Sequence, residues 1–208
     1  MQDLRPEFFR RLDERPDALF YDAPRYESHF DAAGRGFVAD ANATLLRPGD
    51  HLLDLMAGVA THLNRDDAHV TGLGLNADEL AENPHVHEAV VHDLNEHPTL
   101  PFRDAAFDAV TCTAAVHYMT RPLATFEEVA RLVRPGGRFA VAYTERFYDA
   151  KAVLAWRASD DAAHERLVRL FFAASGAFAP PEVRHFESPD GGRVTWMAAL
   201  RLDPCHSV

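Results

Sequence analysis

The chain changes character near residue 51. Upstream, aromatic residues (Phe8, Phe9, Phe20, Tyr21, Tyr26, Phe30, Phe37) are mixed with charged ones without a clean period, and residues 1–50 read as a helical and irregular cap. From His51 short apolar runs alternate with helical stretches, at 51–56, 69–75, 88–94, 107–114 and 138–144. Runs of this kind predict βαβ units and a parallel sheet buried on both faces. Between the last two runs, Leu123, Phe126, Val129, Ala130 and Val133 recur at three- and four-residue spacing and predict a helix over 122–134. Pro122 suits its first turn, where a missing N–H costs nothing. Arg134-Pro135-Gly136-Gly137 stops it. A second helix is predicted over 150–174, then two strands at 182–187 and 193–202 around the turn sequence Pro189-Asp190-Gly191-Gly192. The expected fold is a doubly wound α/β sheet closed by a hairpin. The cap (1–50) and the domain (51–208) form one compact unit.

Composition narrows the function. A chain of 208 residues suits one α/β domain. Such a domain buries about 70% of its unfolded surface and needs neither disulfide nor metal to fold. Cys112 sits in an apolar run and Cys205 in a polar tail, so reduced thiols in the cytoplasm are expected. No apolar run approaches the ~20 residues of a membrane span, and the first residues lack the pattern of a secretory signal. Against 32 acidic residues stand 21 basic ones, only one of them a lysine, for a net charge of −11. Nucleic-acid binding depends on basic side chains that neutralise phosphates. The expected partner is therefore a neutral or cationic small molecule, not nucleic acid or membrane, bound by a monomer or homodimer.

In an open α/β sheet, ligands sit beyond the carboxyl ends of the strands, where strand order reverses. The segments that follow the runs are therefore the candidates: 54–61, 72–76, 93–95 and 113–118. Here the chain resembles class I S-adenosylmethionine (SAM)-dependent methyltransferases, especially the branch that includes quinone-biosynthesis enzymes. The resemblance spans about 51–144. It is carried most specifically by Leu100-Pro101-Phe102 with Phe107-Asp108-Ala109-Val110, and by Glu128-Val129-Ala130-Arg131-Leu132-Val133-Arg134-Pro135-Gly136-Gly137. It implies a seven-stranded sheet with an antiparallel last strand, SAM as cofactor, and methyl transfer to an O, N, S or C atom of a small molecule.

The resemblance also implies roles for particular residues. Asp54 would open the glycine-rich loop and hold the methionine end, with Ala57 and Gly58 forming the loop. Leu75 would pack on the adenine, Asp93 would accept from its amino group, and Leu94 would offer a backbone N–H. Thr113 would hold the methionine amino group, and Tyr26 in the cap would reach the cofactor carboxylate. His117 and Tyr118 follow the fourth strand, facing the acceptor. His117 or His29 is the candidate base, since a histidine near neutrality suits proton removal. Arg25 is a candidate anion clamp. Tyr143, Glu145 and Arg146, around the end of the fifth run, are candidates for the substrate pocket.

The chain departs from the family at three points. Met56 and Ala60 stand where the loop has glycines, and Gly74 stands where an acid bridges the ribose hydroxyls. Loss of a charged acceptor costs about 1.5–3 kcal/mol. Asn76 or Asp78 could replace it, although Asn76-Ala77-Asp78-Glu79 also matches a capping box. An aspartate restored at position 74 is the discriminating variant: affinity that appears only there would mark the natural site as degenerate. The departures keep open a second reading, a degenerate methyltransferase-like fold acting as a binding or regulatory module. A nicotinamide-dependent dehydrogenase lacks support, because no G-x-G-x-x-G turn is present. His85, His87 and His92 match no zinc spacing and read as a solvated loop, with no metal expected.

Overall fold

The computed structural model describes residues 4–189 and 192–203. Asp190 and Gly191 of the expected turn, and Cys205, lie outside the described residues. A short helix α1 (Asp17–Phe20) and α2 (Ala32–Ala43) precede the first strand. The chain then runs β1 (His51–Leu55), β2 (His69–Gly74), α3 (Ala77–Glu82), β3 (Glu88–Val91), β4 (Phe107–Thr113), α4 (Pro122–Leu132) and β5 (Val133–Thr144). It ends with α5 (Leu154–Arg157), α6 (Asp161–Ala174), β6 (Glu182–Glu187) and β7 (Arg193–Leu200). All seven strands join one sheet in the order β3-β2-β1-β4-β5-β7-β6. β7 runs antiparallel to both its neighbours, and the remaining pairs are parallel. The expected doubly wound sheet is thus the one observed, and its order reverses between β1 and β4.

The apolar runs are explained by helices on both faces. Leu52 belongs to one core with Val70, Ala109, Trp196 and Val38 of α2. Its neighbour Leu53 belongs to the other, with Val110, Phe126 of α4, and Phe171 and Phe172 of α6. Side chains alternate along a strand, so a strand covered on both sides is apolar at every position.

Two helix boundaries differ from the expectation. α4 gives way to β5 at Val133, because Val133 pairs with Phe107 before a bulge brings Arg138 opposite Ala109. The helix expected over 150–174 is two helices. Asp160 starts the second by accepting the Ala163 N–H at 2.8 Å.

A buried ionic network ties the cap to the sheet. Lys151, the single lysine, is 0% exposed, with Nζ 3.0 Å from Asp17 Oδ1. It also donates to the carbonyls of Asp13 (3.2 Å) and Arg15 (2.6 Å). Arg11 Nη1 reaches both Asp17 oxygens at 2.6 and 2.8 Å, and Asn95 Nδ2 donates to Oδ2 at 2.9 Å. Asn95 also donates to the Tyr118 carbonyl and accepts the Thr120 N–H, fastening the loops after β3 and β4 to the cap. Burial pushes the Asp17 carboxyl up, but hydrogen bonds from Arg11, Asn95 and Lys151 outweigh it and hold the group below its ordinary value. Among the described residues, no helix is long and apolar enough to cross a membrane.

Candidate functional site

A cavity of about 380 Å³ opens where the sheet order reverses, roofed by the cap. Its walls are the loop 56–60 after β1, residues 74–76 after β2, 92–95 after β3 and 113–115 after β4, with cap residues 25–30 and Tyr148 above. This is the position that the topology dictates for a ligand, and the size falls in the roughly 300–1,000 Å³ range of small-molecule sites.

The floor explains two of the three sequence departures together. Met56 has φ 58°, a left-handed conformation that a side chain disfavours. The turn lets Ala57 N–H donate to the Leu73 carbonyl at 2.7 Å, folding the loop back onto β2. The Ala57 carbonyl then occupies the space into which a Cβ at residue 74 would project, well inside van der Waals contact. Position 74 therefore excludes any side chain, and an aspartate there would collide with backbone instead of recovering affinity. Asn76 does not replace the missing acid either. Its Oδ1 accepts the N–H groups of Asp78 and Glu79 (2.9 and 3.1 Å), and its Nδ2 donates to the carbonyls of Tyr21 and Asp22 (2.9 and 3.0 Å). Those four bonds use the side chain fully. Asn76 lines the wall as the cap of α3 and the anchor of the N-terminal segment.

Ala57, Gly58, Leu75, Asp93, Leu94 and Thr113 all border the cavity. Asp93 Oδ1 accepts the N–H groups of Asn95 and Glu96 at 2.9 and 3.2 Å, which leaves Oδ2 for a ligand. The Thr113 hydroxyl has no partner among the described residues. Tyr26 stands at the rim, 60% exposed, and donates to Glu82 at 3.1 Å. Tyr118 also borders the cavity, its hydroxyl accepting the Tyr148 N–H at 2.8 Å. The Arg25 guanidinium lies 4.1 Å from the Phe20 ring centroid and 4.9 Å from that of Tyr148, and its buried Nε has no hydrogen-bond partner among the described residues. His29 meets the Tyr148 ring edge-on at 4.9 Å. Burial lowers the pKa of His29, opposed in part by Glu27 and helped by Arg146.

Several expected site residues lie elsewhere. Asp54 is buried beneath the loop, where it accepts the Thr111 hydroxyl at 3.1 Å and braces β1 against β4. Burial pushes its carboxyl up to about 7, opposed by hydrogen bonds from Thr111 and Thr61. His117 is 0% exposed and does not border the cavity. Its ring is packed against Tyr118 (4.1 Å) and Trp156 (5.4 Å), and neither nitrogen has a hydrogen-bond partner among the described residues. Burial holds it well below the ordinary histidine value, and it stands one layer behind His29, 6.4 Å between ring centroids. Tyr143 faces the α5–α6 side of the sheet, edge-on to Trp156 at 4.9 Å. Glu145 is likewise structural, accepting from Thr144 and from the Arg193 N–H at the start of β7.

The cavity also contains residues that the sequence pattern did not single out: Tyr148, Glu27, Arg35, His62 and Glu79. Tyr148 donates to Glu27 at 2.9 Å across the mouth. Burial lowers His62 to about 4, opposed by its hydrogen bond to the Ala60 carbonyl. Among the described residues, no group of three or more His, Cys, Asp or Glu is placed to hold a metal ion.

Residues 55–141, which run from β1 into β5 and include the cavity floor, match the family model described as a methyltransferase domain. Over these residues the chain is similar to methyltransferase domains. A demethylmenaquinone methyltransferase of Beutenbergia cavernae is 33% identical over 144 residues, covering 64% of this chain and 60% of that protein. The chain thus spans about three fifths of the length of that curated relative. Among solved structures, the cyclase SpnF superposes with a TM-score of 0.61 at 18% identity, covering 86% of this chain and 85% of that one. Haemonchus contortus phosphoethanolamine N-methyltransferase 2, in complex with S-adenosyl-L-methionine, gives 0.58 at 12% identity, covering 81% and 52%. At these identities the likeness is one of fold. A fold shared by a cyclase and a methyltransferase leaves the reaction to be argued from the cavity.

Proposed function

We propose that this chain is a class I SAM-dependent methyltransferase, which transfers a methyl group from SAM to an O, N, S or C atom of a small molecule held under the cap. The observation that carries the reading is the Asp93 carboxylate, which keeps one oxygen free in a cavity walled by Leu75 and Leu94. The residues fit the cofactor. Asp93 Oδ2 would accept from the adenine amino group, Leu75 and Leu94 would flank the ring, and the segment at Thr113 would receive the methionine end. Bound SAM would supply the electrophilic methyl group. Displacement at a methyl group asks the protein chiefly for alignment. The cap residues 25–30 and Tyr148 would provide it, screening the acceptor from water. Arg25, its Nε without a partner among the described residues, would take an anionic group of the acceptor. His29 is the base in this reading, and His117 acts only by packing behind it. The setting is cytoplasmic, with Cys112 a buried thiol, and the protein works as a monomer or homodimer.

Asp93→Asn tests the assignment most cleanly, because Oδ1 can still hold the turn while the second acceptor becomes a donor. Affinity for S-adenosylhomocysteine is expected to fall at least about ten-fold by calorimetry, the effect of losing a charged hydrogen bond. Unchanged affinity rules the assignment out.

His29 has a predictable pH signature. Its pKa lies below the ordinary 6.5, so the imidazole is neutral and ready to accept a proton at pH 7. With reduced demethylmenaquinone as the first acceptor tried, kcat/KM should be flat from neutral pH upward and fall only as pH drops through that lowered value. His29→Gln should lower kcat by about 10²–10⁴ and abolish the acid limb. An unaltered limb would move the base elsewhere.

A further inference from the structure

We propose that Glu79 takes over the task that Gly74 cannot perform, its carboxylate accepting the hydroxyl hydrogens of the ligand's ribose. The inference rests on the SAM reading above. Glu79 lies in the first turn of α3, just beyond the Leu75–Asn76 wall, and it is buried yet borders the cavity. Its two oxygens have different surroundings. Oε1 accepts the Arg25 N–H at 2.7 Å, which joins the cap to α3. Oε2 accepts no hydrogen bond among the described residues and lies over Gly58, 2.9 Å from where a Cβ would stand. Gly58 is thus the residue that leaves room for this carboxylate, a different role from simple closeness to a ligand.

A carboxylate withdrawn from water with an idle oxygen is unfavourable until a donor arrives. Burial accordingly raises the Glu79 pKa, opposed by the Arg25 hydrogen bond. A sugar diol brings O–H donors of the right kind. The other acids at the cavity are placed differently. Glu27 receives the Tyr148 hydroxyl at the mouth, and Asp93 belongs to the wall after β3. The collision at position 74 and the carboxylate at position 79 therefore form one arrangement: the loop 56–58 folds over the end of β2, and the acid reaches the same loop from the next helix. The Arg25 bond adds a consequence. The cap is seated through the residue that would grip the sugar, so ordering of the cap and ribose recognition are linked.

The test is a calorimetric titration of the full chain with S-adenosylhomocysteine and with its 2′,3′-dideoxy analogue. The wild type should prefer the diol ligand at least about ten-fold. Glu79→Gln, which keeps an acceptor for the Arg25 N–H, should lose about ten- to a hundred-fold for S-adenosylhomocysteine and less than about two-fold for the dideoxy analogue. An equal loss for both ligands means that Glu79 only seats the cap, and overturns the proposal. So does an unchanged affinity for S-adenosylhomocysteine. If the variant does not fold, the wild-type comparison decides, because absence of a diol preference also overturns it. Failure of the wild type to bind either ligand overturns the SAM reading itself, a distinct result.

Discussion

Asp17→Asn lowers folding stability by about 3–5 kcal/mol in urea unfolding at pH 7, the expected penalty for removing one partner of a buried ionic group. Among the described residues, Asp17 is the only anion within hydrogen-bond reach of both Arg11 and Lys151, and the side chains of those two cations are 7% and 0% exposed. Neutralising it leaves two desolvated positive charges facing one another. Lys151→Met is expected to cost less, because Asp17 keeps Arg11 and Asn95. For a chain of this size, 3–5 kcal/mol corresponds to a melting-temperature drop of about 6–20 °C. The effect has a defined pH window. A carboxyl held below its ordinary value stabilises the fold above its unfolded pKa, and the contribution fades as pH falls through the folded one. Wild type and variant should therefore converge in acid, below about pH 4. A loss under about 1 kcal/mol at pH 7, or one independent of pH, contradicts the network. Because Asn95 connects Asp17 to the loop that carries Asp93, the variant should also bind ligand more weakly at temperatures where it stays folded.

Gly74→Asp is expected to destabilise by about 3 kcal/mol and to abolish binding of S-adenosylhomocysteine, although it restores the residue type of the family. The added Cβ meets the Ala57 carbonyl, which is backbone held by the Leu73 bond and has no rotamer by which to escape. Overpacking of this kind costs about 1–3 kcal/mol, occasionally more. Thermal unfolding and calorimetry on the same preparation give both readouts. A variant as stable as wild type with tighter binding would show that the loop 56–60 does not fold onto β2 as described.

Strands buried on both faces write themselves as apolar runs, which is why the sheet was legible along the chain. Leu52 and Leu53 serve opposite cores and are both leucine. Residues directly beyond strand ends were legible for the same reason, since topology alone brings Asp93 and Thr113 to the cavity. Facing was not legible. Tyr143 occupies a strand position whose side chain turns toward α5 and α6, and the short turn after β4 takes His117 inward while Tyr118 meets the cavity. Asp54 keeps the residue type that the resemblance calls for, but its side chain lies beneath the floor, bonded to Thr111. Gly74 read as a loss because its cause, the path of the Ala57 carbonyl, is tertiary. Glu79 was hidden inside a capping-box match, where one residue type serves both the cap and the cavity. Tyr148 sits in an aperiodic loop that offers no pattern.

The measurement that bears most directly on the central claim is titration of SAM and S-adenosylhomocysteine into dialysed, nucleoside-free full chain in a calorimeter. The account predicts binding tighter than about 100 μM, corresponding to roughly −5.5 kcal/mol. No heat and no thermal stabilisation at millimolar cofactor would contradict it, and would make the cavity that of a binding or regulatory module built on a methyltransferase frame.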